Sequence, residues 1–364
     1  MREPALSHAH PSIRSLNPYK PGKPVDEVKR QYGLQDVIKL ASNENPLGPS
    51  VKTLVAMSDA LDDAGRYPDG NAFYLKQALA EKHGCSAESI SVGNGTNELL
   101  NMISRLFLRP EVSAVYSEHA FIVYKLAVLM CGAQAIEVPA KDYGHDLTAI
   151  ASSIQSNTRL IYLANPNNPT GTYFDQGAFV AFMNKVPSDV VVVLDEAYFD
   201  YVDTRNGFDG IDYVSLYANL IVTRTLSKAY GLGGMRVGYS VSSEAMADLL
   251  NRGREPFNVN AIAQAGAVAA LADQQHVAQT VALNEAGMSQ LERGLTALGY
   301  RFIASAGNFI TINVGDGAVC AQKLMEQGVI VRAIAEYGLP EFIRVSIGLA
   351  SENQRFLAAL EQCQ

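Results

Sequence analysis

The sequence predicts an α/β protein: a large domain around a mostly parallel, seven-stranded sheet, with a smaller α+β domain at the carboxy-terminal end. Three observations carry the prediction. Seven short apolar runs, at 89–93, 114–117, 135–139, 160–165, 190–195, 220–223 and 237–241, alternate with stretches of helical periodicity. Runs that are apolar throughout belong to parallel strands covered by helices on both faces. Several of them end in clustered glycine, asparagine, aspartate or lysine, at the strand ends where such sheets hold ligands. After Ser243 the pattern changes, with helices to about residue 298 and then a mixed α+β unit.

Taken in order, residues 1–49 are rich in Pro, Asn and Gly and read as an extended arm. Residues 50–255 read as the large domain and 256–364 as the small one. Leu99, Ile103, Leu106 and Phe107 recur on one helical face. An alanine-rich helix is expected at 261–272, strands at 309–314, 329–334 and 342–347, and helices at 318–327 and from 351.

Bulk properties narrow the class. The 364 residues are 48% hydrophobic and 18% charged, ordinary for a globular enzyme. A net charge of −8 argues against a nucleic-acid surface, which clusters Lys and Arg. No stretch is apolar enough for a signal peptide or a membrane span, so no membrane partner is expected. Cys85, Cys131, Cys320 and Cys363 are scattered and read as reduced thiols of a cytoplasmic protein. The six histidines show no metal-ligand spacing, and no metal is expected.

The strand ends carry the chemistry. Lys228 follows the apolar run 220–222, where partial desolvation lowers an amine's pKa and frees it for Schiff-base chemistry; a solvated surface charge is the alternative on this segment alone. Arg236 lies a short glycine-rich span away and can hold a phosphate by a fork, with Thr225 and Ser227 as hydroxyl donors. Amine and phosphate site together point to pyridoxal phosphate. The first run ends in Gly93-Asn94-Gly95-Thr96-Asn97-Glu98, where the amides of Gly95, Thr96 and Asn97 at a helix start suit an anion; a capped turn is the alternative. Phe121 is a candidate to stack on a ring, or a core residue. Asn168, in the turn 165–171, can donate to a phenolate oxygen; a purely structural turn is the alternative. Asp195 ends an apolar strand and needs a partner, for which a pyridinium is suitable; the alternative is a helix cap. Tyr198 could reach the ring oxygen. In the small domain Ile343, Val345 and Ile347 share one strand face, and Arg344 lies on the other with Phe342 and Ser346. Arg344 can fork onto a carboxylate or phosphate, or is a surface charge on a half-exposed sheet, and Arg332 is a weaker second cation.

The motifs GNGTNE at 93–98, NPNNPTG at 165–171, DEAY at 195–198 and SKAYGLGGMRVGY at 227–239 agree in order and spacing with one family. The chain resembles the fold-type I pyridoxal-phosphate-dependent aminotransferases over nearly its whole length. Leu16-Asn17-Pro18-Tyr19, the run KLASNENPLGP at 39–49, Arg66-Tyr67-Pro68, Val331-Arg332 and Ile343-Arg344-Val345 resemble the branch that acts on histidinol phosphate and 2-oxoglutarate. The resemblance implies that Lys228 binds the cofactor aldehyde and then shuttles the substrate's proton. It implies that Asp195 pairs with the ring nitrogen, that Asn168 and Tyr198 bind the ring oxygen, and that Gly95, Thr96, Asn97, Thr225, Ser227 and Arg236 hold the phosphate. Tyr67 would reach the phosphate of a neighbouring subunit, which implies a homodimer with shared sites and an arm that takes part in its contacts. Tyr19, Asn45, Arg332 and Arg344 would recognise the substrate. Transamination of phenylalanine or tyrosine, and decarboxylation of threonine phosphate, remain open alternatives, because the same motifs serve them.

Overall fold

The computed structural model describes residues 8, 11–14, 22–202 and 207–363. Seven strands form the large sheet: β1 (Ile90–Gly93), β2 (Ser113–Ser117), β3 (Gln134–Val138), β4 (Thr158–Ala164), β5 (Val191–Asp195), β6 (Leu220–Thr225) and β7 (Gly238–Ser242). Their order is β1-β7-β6-β5-β4-β2-β3. β7 runs antiparallel to both its neighbours, and the pairs from β6 to β3 are parallel.

The unbroken apolar runs have a direct physical cause. Successive residues of β5 face opposite sides of the sheet, so Val192 and Leu194 enter one core while Val191 and Val193 enter another. β4 divides likewise, with Ile161 and Leu163 on one side and Leu160 and Tyr162 on the other. The helix Thr96–Phe107 covers the second face through Leu99, Leu100, Met102 and Ile103.

The small domain holds a second sheet of β8 (Arg301–Ile303), β9 (Phe309–Asn313), β10 (Arg332–Ile334) and β11 (Leu339–Ser346), in the order β10-β11-β9-β8 and antiparallel throughout. Ile310, Ile312, Ile343 and Val345 bury one face of it against the helices Gln274–Ala297 and Ala350–Glu361. The expected strand 329–334 is divided at Val331. Val329–Ile330 pairs in parallel with Ile38–Lys39 of the arm, and β10 pairs with β11. The arm is therefore stitched to the small domain by backbone hydrogen bonds.

The segment after residue 256, expected to open the small domain, first packs on the large one. The helix Ala261–Ala272 buries Ala263, Ala267 and Ala270 in the large-domain core, against the helices Val51–Asp59 and Phe73–His83. Its small residues permit this close approach: a Cβ on Gly266 would lie 2.6 Å from Met57 Cγ. The following helix Gln274–Ala297 bridges the two units, with Val277 in the large core and Leu291 and Leu295 in the small one. Among the described residues no helix is long and apolar enough to cross a membrane.

Candidate active site

The carboxyl ends of the parallel strands and the polar face of β11 enclose a cavity of about 230 Å³. Thr96, Asn97, Phe121, Asn168, Asp195, Tyr198, Thr225, Ser227, Lys228, Arg236, Arg332 and Arg344 all line it. These residues come from six strand ends and two domains, so the fold alone brings them together.

At one end stands an anion cradle. The helix Thr96–Phe107 begins at Gly95, whose φ is +78°, and exposes its first amides to the cavity wall. The Arg236 guanidinium packs against this start so closely that a Cβ on Gly95 would lie 2.3 Å from Nη2. Arg236 donates from Nη1 to Ser227 Oγ and to the Gly233 carbonyl, both at 3.1 Å. Ser227 Oγ is thus an acceptor here, and its own hydrogen is left for a ligand. Thr225 differs from expectation in detail: its hydroxyl donates to the Val237 carbonyl at 3.2 Å and braces the Ser227 amide at 3.1 Å.

Lys228 lies between this cradle and the arm, with Nζ donating to the Ser42 carbonyl at 3.0 Å. Burial of the amine, helped by the Arg344 and Arg236 charges and opposed by Glu44, lowers its pKa to about 7. Asp195 is 5% exposed, and its carboxylate accepts from Tyr124 Oη at 2.8 Å and from the Ala197 amide at 3.2 Å. Both donors are neutral, and burial raises the Asp195 pKa to about 6. A buried carboxylate so held suits a cationic ligand atom. Next to Asp195, Glu196 takes a fork from Arg224 Nε and Nη2 at 2.9 and 2.6 Å, which ties the ends of β5 and β6 together.

The other end is cationic. Arg344 is 7% exposed and donates from Nη1 to Asn168 Oδ1 at 2.5 Å and from Nη2 to the Ala41 carbonyl at 2.8 Å. Among the described residues its buried Nε has no hydrogen-bond partner, and it is a donor suited to an oxyanion. Asn168 accepts through its oxygen, which leaves its Nδ2 as the donating end. Arg332 stands directly across the strand pair from Arg344 and forms an ion pair with Glu336. Burial raises the Tyr198 phenol above its usual value, against the opposing effects of Arg344 and Asn43.

Among the expected site residues, Gly95 directly precedes the lining pair Thr96 and Asn97, and Asn45 and Tyr67 lie away from the cavity wall. Asn45 is buried, but its Nδ2 donates to the Ala229 carbonyl and to Thr280 Oγ1, both at 3.0 Å, so it braces the chain behind Lys228. Tyr67 is 84% exposed and stacks on Phe257 at 4.9 Å. Tyr19 lies outside the described residues. Conversely, Asn43, Tyr124 and Tyr337 line the cavity without having been singled out from the sequence. Tyr124 sits in the apolar helix Ile122–Met130, where an aromatic reads as core. Asn43 left one signal, an asparagine in a polar turn, and it holds a positive φ of 53°.

This fold and this cavity define a transaminase scaffold, and the chain belongs to the family "Aminotransferase class I and II", whose model matches residues 35–360. It is 51% identical over 360 residues to histidinol-phosphate aminotransferase 2 of Pseudomonas fluorescens (strain Pf0-1), covering 98% of this chain and 97% of the relative. It is likewise 51% identical over 358 residues to histidinol-phosphate aminotransferase 2 of Pseudomonas aeruginosa, with the same coverage of 98% and 97%. Among solved structures, histidinol-phosphate aminotransferase from Sinorhizobium meliloti in complex with pyridoxal-5'-phosphate superposes with a TM-score of 0.90 at 31% identity, covering 98% of this chain and 97% of that one.

Proposed function

We propose that this chain is a pyridoxal-phosphate-dependent aminotransferase that converts histidinol phosphate and 2-oxoglutarate to imidazole acetol phosphate and glutamate, a step of histidine biosynthesis. One observation carries the substrate assignment. Arg332 and Arg344 stand side by side at the wall of the cavity that holds Lys228, in a chain half identical to histidinol-phosphate aminotransferases over nearly its whole length. Such a pair suits a dianionic phosphate, and Arg344 alone suits the carboxylate of the second substrate.

The residues present fit the cofactor. A helix start and Arg236 suit its phosphate, the buried Asp195 suits a protonated ring nitrogen, and Lys228 presents an amine with a pKa of about 7. When bound, pyridoxal phosphate supplies an aldehyde that captures an amine and a protonated ring that withdraws electrons from the adjoining carbon. Lys228 Nζ, poised near neutrality, would take the proton from the substrate Cα and deliver it to the former aldehyde carbon of the cofactor, so that the amino group stays behind when the keto product leaves. Asp195 keeps its negative charge beside the ring, and Asn168 Nδ2 and Tyr198 Oη are the donors for the ring oxygen. Arg344 fixes the substrate's anion, so that the Cα proton faces Lys228.

The same reading has the enzyme act as a homodimer in the cytoplasm. Val51, Leu54, Val55, Phe73, Tyr74 and Tyr67 leave an apolar surface exposed on the large domain, which supports a second copy as its cover. Tyr67 would then meet the partner's phosphate site, which accounts for its distance from the cavity of its own chain. The deciding measurement compares kcat/KM for histidinol phosphate and for phenylalanine with 2-oxoglutarate as acceptor. Preference for histidinol phosphate is expected, and preference for phenylalanine would replace the substrate assignment by the aromatic one. Light scattering of the purified protein should give twice the chain mass.

A further inference from the structure

A closed ring of hydrogen bonds from two remote segments aims the hydroxyl of Tyr198. The Asn43 backbone N–H donates to Ser346 Oγ at 2.7 Å, and Ser346 Oγ donates to Asn43 Oδ1 at 3.2 Å. The serine has one hydrogen and spends it on Oδ1, which makes that end of the Asn43 amide the acceptor. The opposite end, Nδ2, donates to Tyr198 Oη at 2.9 Å. Asn43 cannot readily turn away. It is 1% exposed, its φ is 53°, and its carbonyl accepts from Asn308 Nδ2 at 3.1 Å. A donor already on Oη takes up the oxygen's acceptor role and leaves the phenolic hydrogen for another partner. Tyr198 lines the cavity, with its ring centre 5.7 Å from Lys228 Nζ.

We propose that Asn43, locked by Ser346, is a positioning residue that makes Tyr198 a hydrogen-bond donor into the cavity, toward the negatively charged ring oxygen of the cofactor. The inference rests on the pyridoxal phosphate reading above. It also links the two substrate events in space. Ser346 follows Arg344 by two residues on the same face of β11, so the strand that receives the substrate's anion also carries the lock on Tyr198.

The test is a pH titration of the visible absorption band of the protein loaded with pyridoxal phosphate, with thermal melting as a check on folding. Asn43→Asp is nearly isosteric but presents acceptors alone, so it draws the Tyr198 hydrogen away from the cavity. A donor to the ring oxygen stabilises its charge most when the lysine-linked nitrogen carries no proton. Losing that donor therefore raises the pH at which the band titrates, by about one unit or more for Asn43→Asp. Asn43→Gly, which tolerates the positive φ, should shift it less. Ser346→Ala should shift it in the same direction, while Ser346→Thr, which keeps the hydroxyl, should titrate like the wild type. A folded Asn43→Asp protein whose band titrates as the wild type does would overturn the proposal. If Asn43→Asp does not fold, identical titrations for Ser346→Ala and Ser346→Thr overturn it instead. A wild-type protein that gives no visible band with pyridoxal phosphate would overturn the cofactor reading, and the positioning role with it.

Discussion

The two ends of the cavity are built on opposite principles. The anion cradle is local: Gly95, Thr96 and Asn97 are consecutive, and Thr225, Ser227, Lys228 and Arg236 lie within a dozen residues of one another. Its geometry comes from one helix start and one loop. The substrate end is assembled from Ala41 of the arm, Asn168 of the large domain, and Arg332 and Arg344 of the small domain. Backbone amides of a helix change little as domains move, whereas Arg344 depends on partners from two other segments. The cofactor end is therefore rigid by construction, and the substrate end can respond to what it binds.

Substitutions can break this contrast one end at a time. Lys228→Ala, at the junction of the two, should lower transamination by about 10,000-fold or more and abolish the visible band with pyridoxal phosphate. Full activity in that variant would sink the mechanism. Arg344→Gln should raise KM for both substrates by about 100-fold or more, since it removes a charge-assisted fork. The visible band should remain, because Lys228 and the Arg236–Ser227 cradle keep their own contacts; its loss would mean the two ends are not separable. Gly95→Ala attacks only the cradle. Its Cβ meets Arg236 and its φ of +78° is strained for alanine, so cofactor affinity measured by equilibrium dialysis should fall by about 10-fold or more.

Smaller effects sharpen the boundary of the site. Asn45→Ala should lower stability by about 1–2 kcal/mol with kcat/KM nearly unchanged, because the side chain bonds buried groups outside the cavity. A large loss of kcat/KM without a change in melting would return Asn45 to the substrate-binding set. The last expected effect is on the pH dependence of stability. Lys228 has a folded pKa lowered to about 7 from 10.5, so between these values the unfolded chain binds more protons and stability rises with pH. The cofactor-free Lys228→Met protein should accordingly melt higher than the wild type at pH 6, with the gap closing toward pH 10. The same gap at both pH values would show that the amine is not perturbed.

Legibility followed the same division. Asp195, Lys228 and Arg236 could be read because each breaks a local pattern, a charge or a glycine loop at the end of an apolar run. Tyr124 could not, because a tyrosine in an apolar helix looks like packing until Asp195 is found beside it. Asn43 and Asn45 could not be told apart for the opposite reason: they sit in the same short motif, yet Asn43 lines the cavity and the Asn45 amide bonds the chain behind it. The packing of the segment after 256 was not legible, because an alanine-rich helix carries no mark of which core it joins.

The sequence by itself determined the sheet, its ligand-bearing strand ends and the lysine–arginine cradle, since period-two burial and contiguous motifs are properties of neighbouring residues. Only the tertiary structure decided that Arg332 and Arg344 face the same cavity, that Asn43 reaches Tyr198, and that Tyr67 does not reach the site of its own chain. Those contacts join residues far apart in the chain, and their distances are set by how the arm and the small domain pack against the large one.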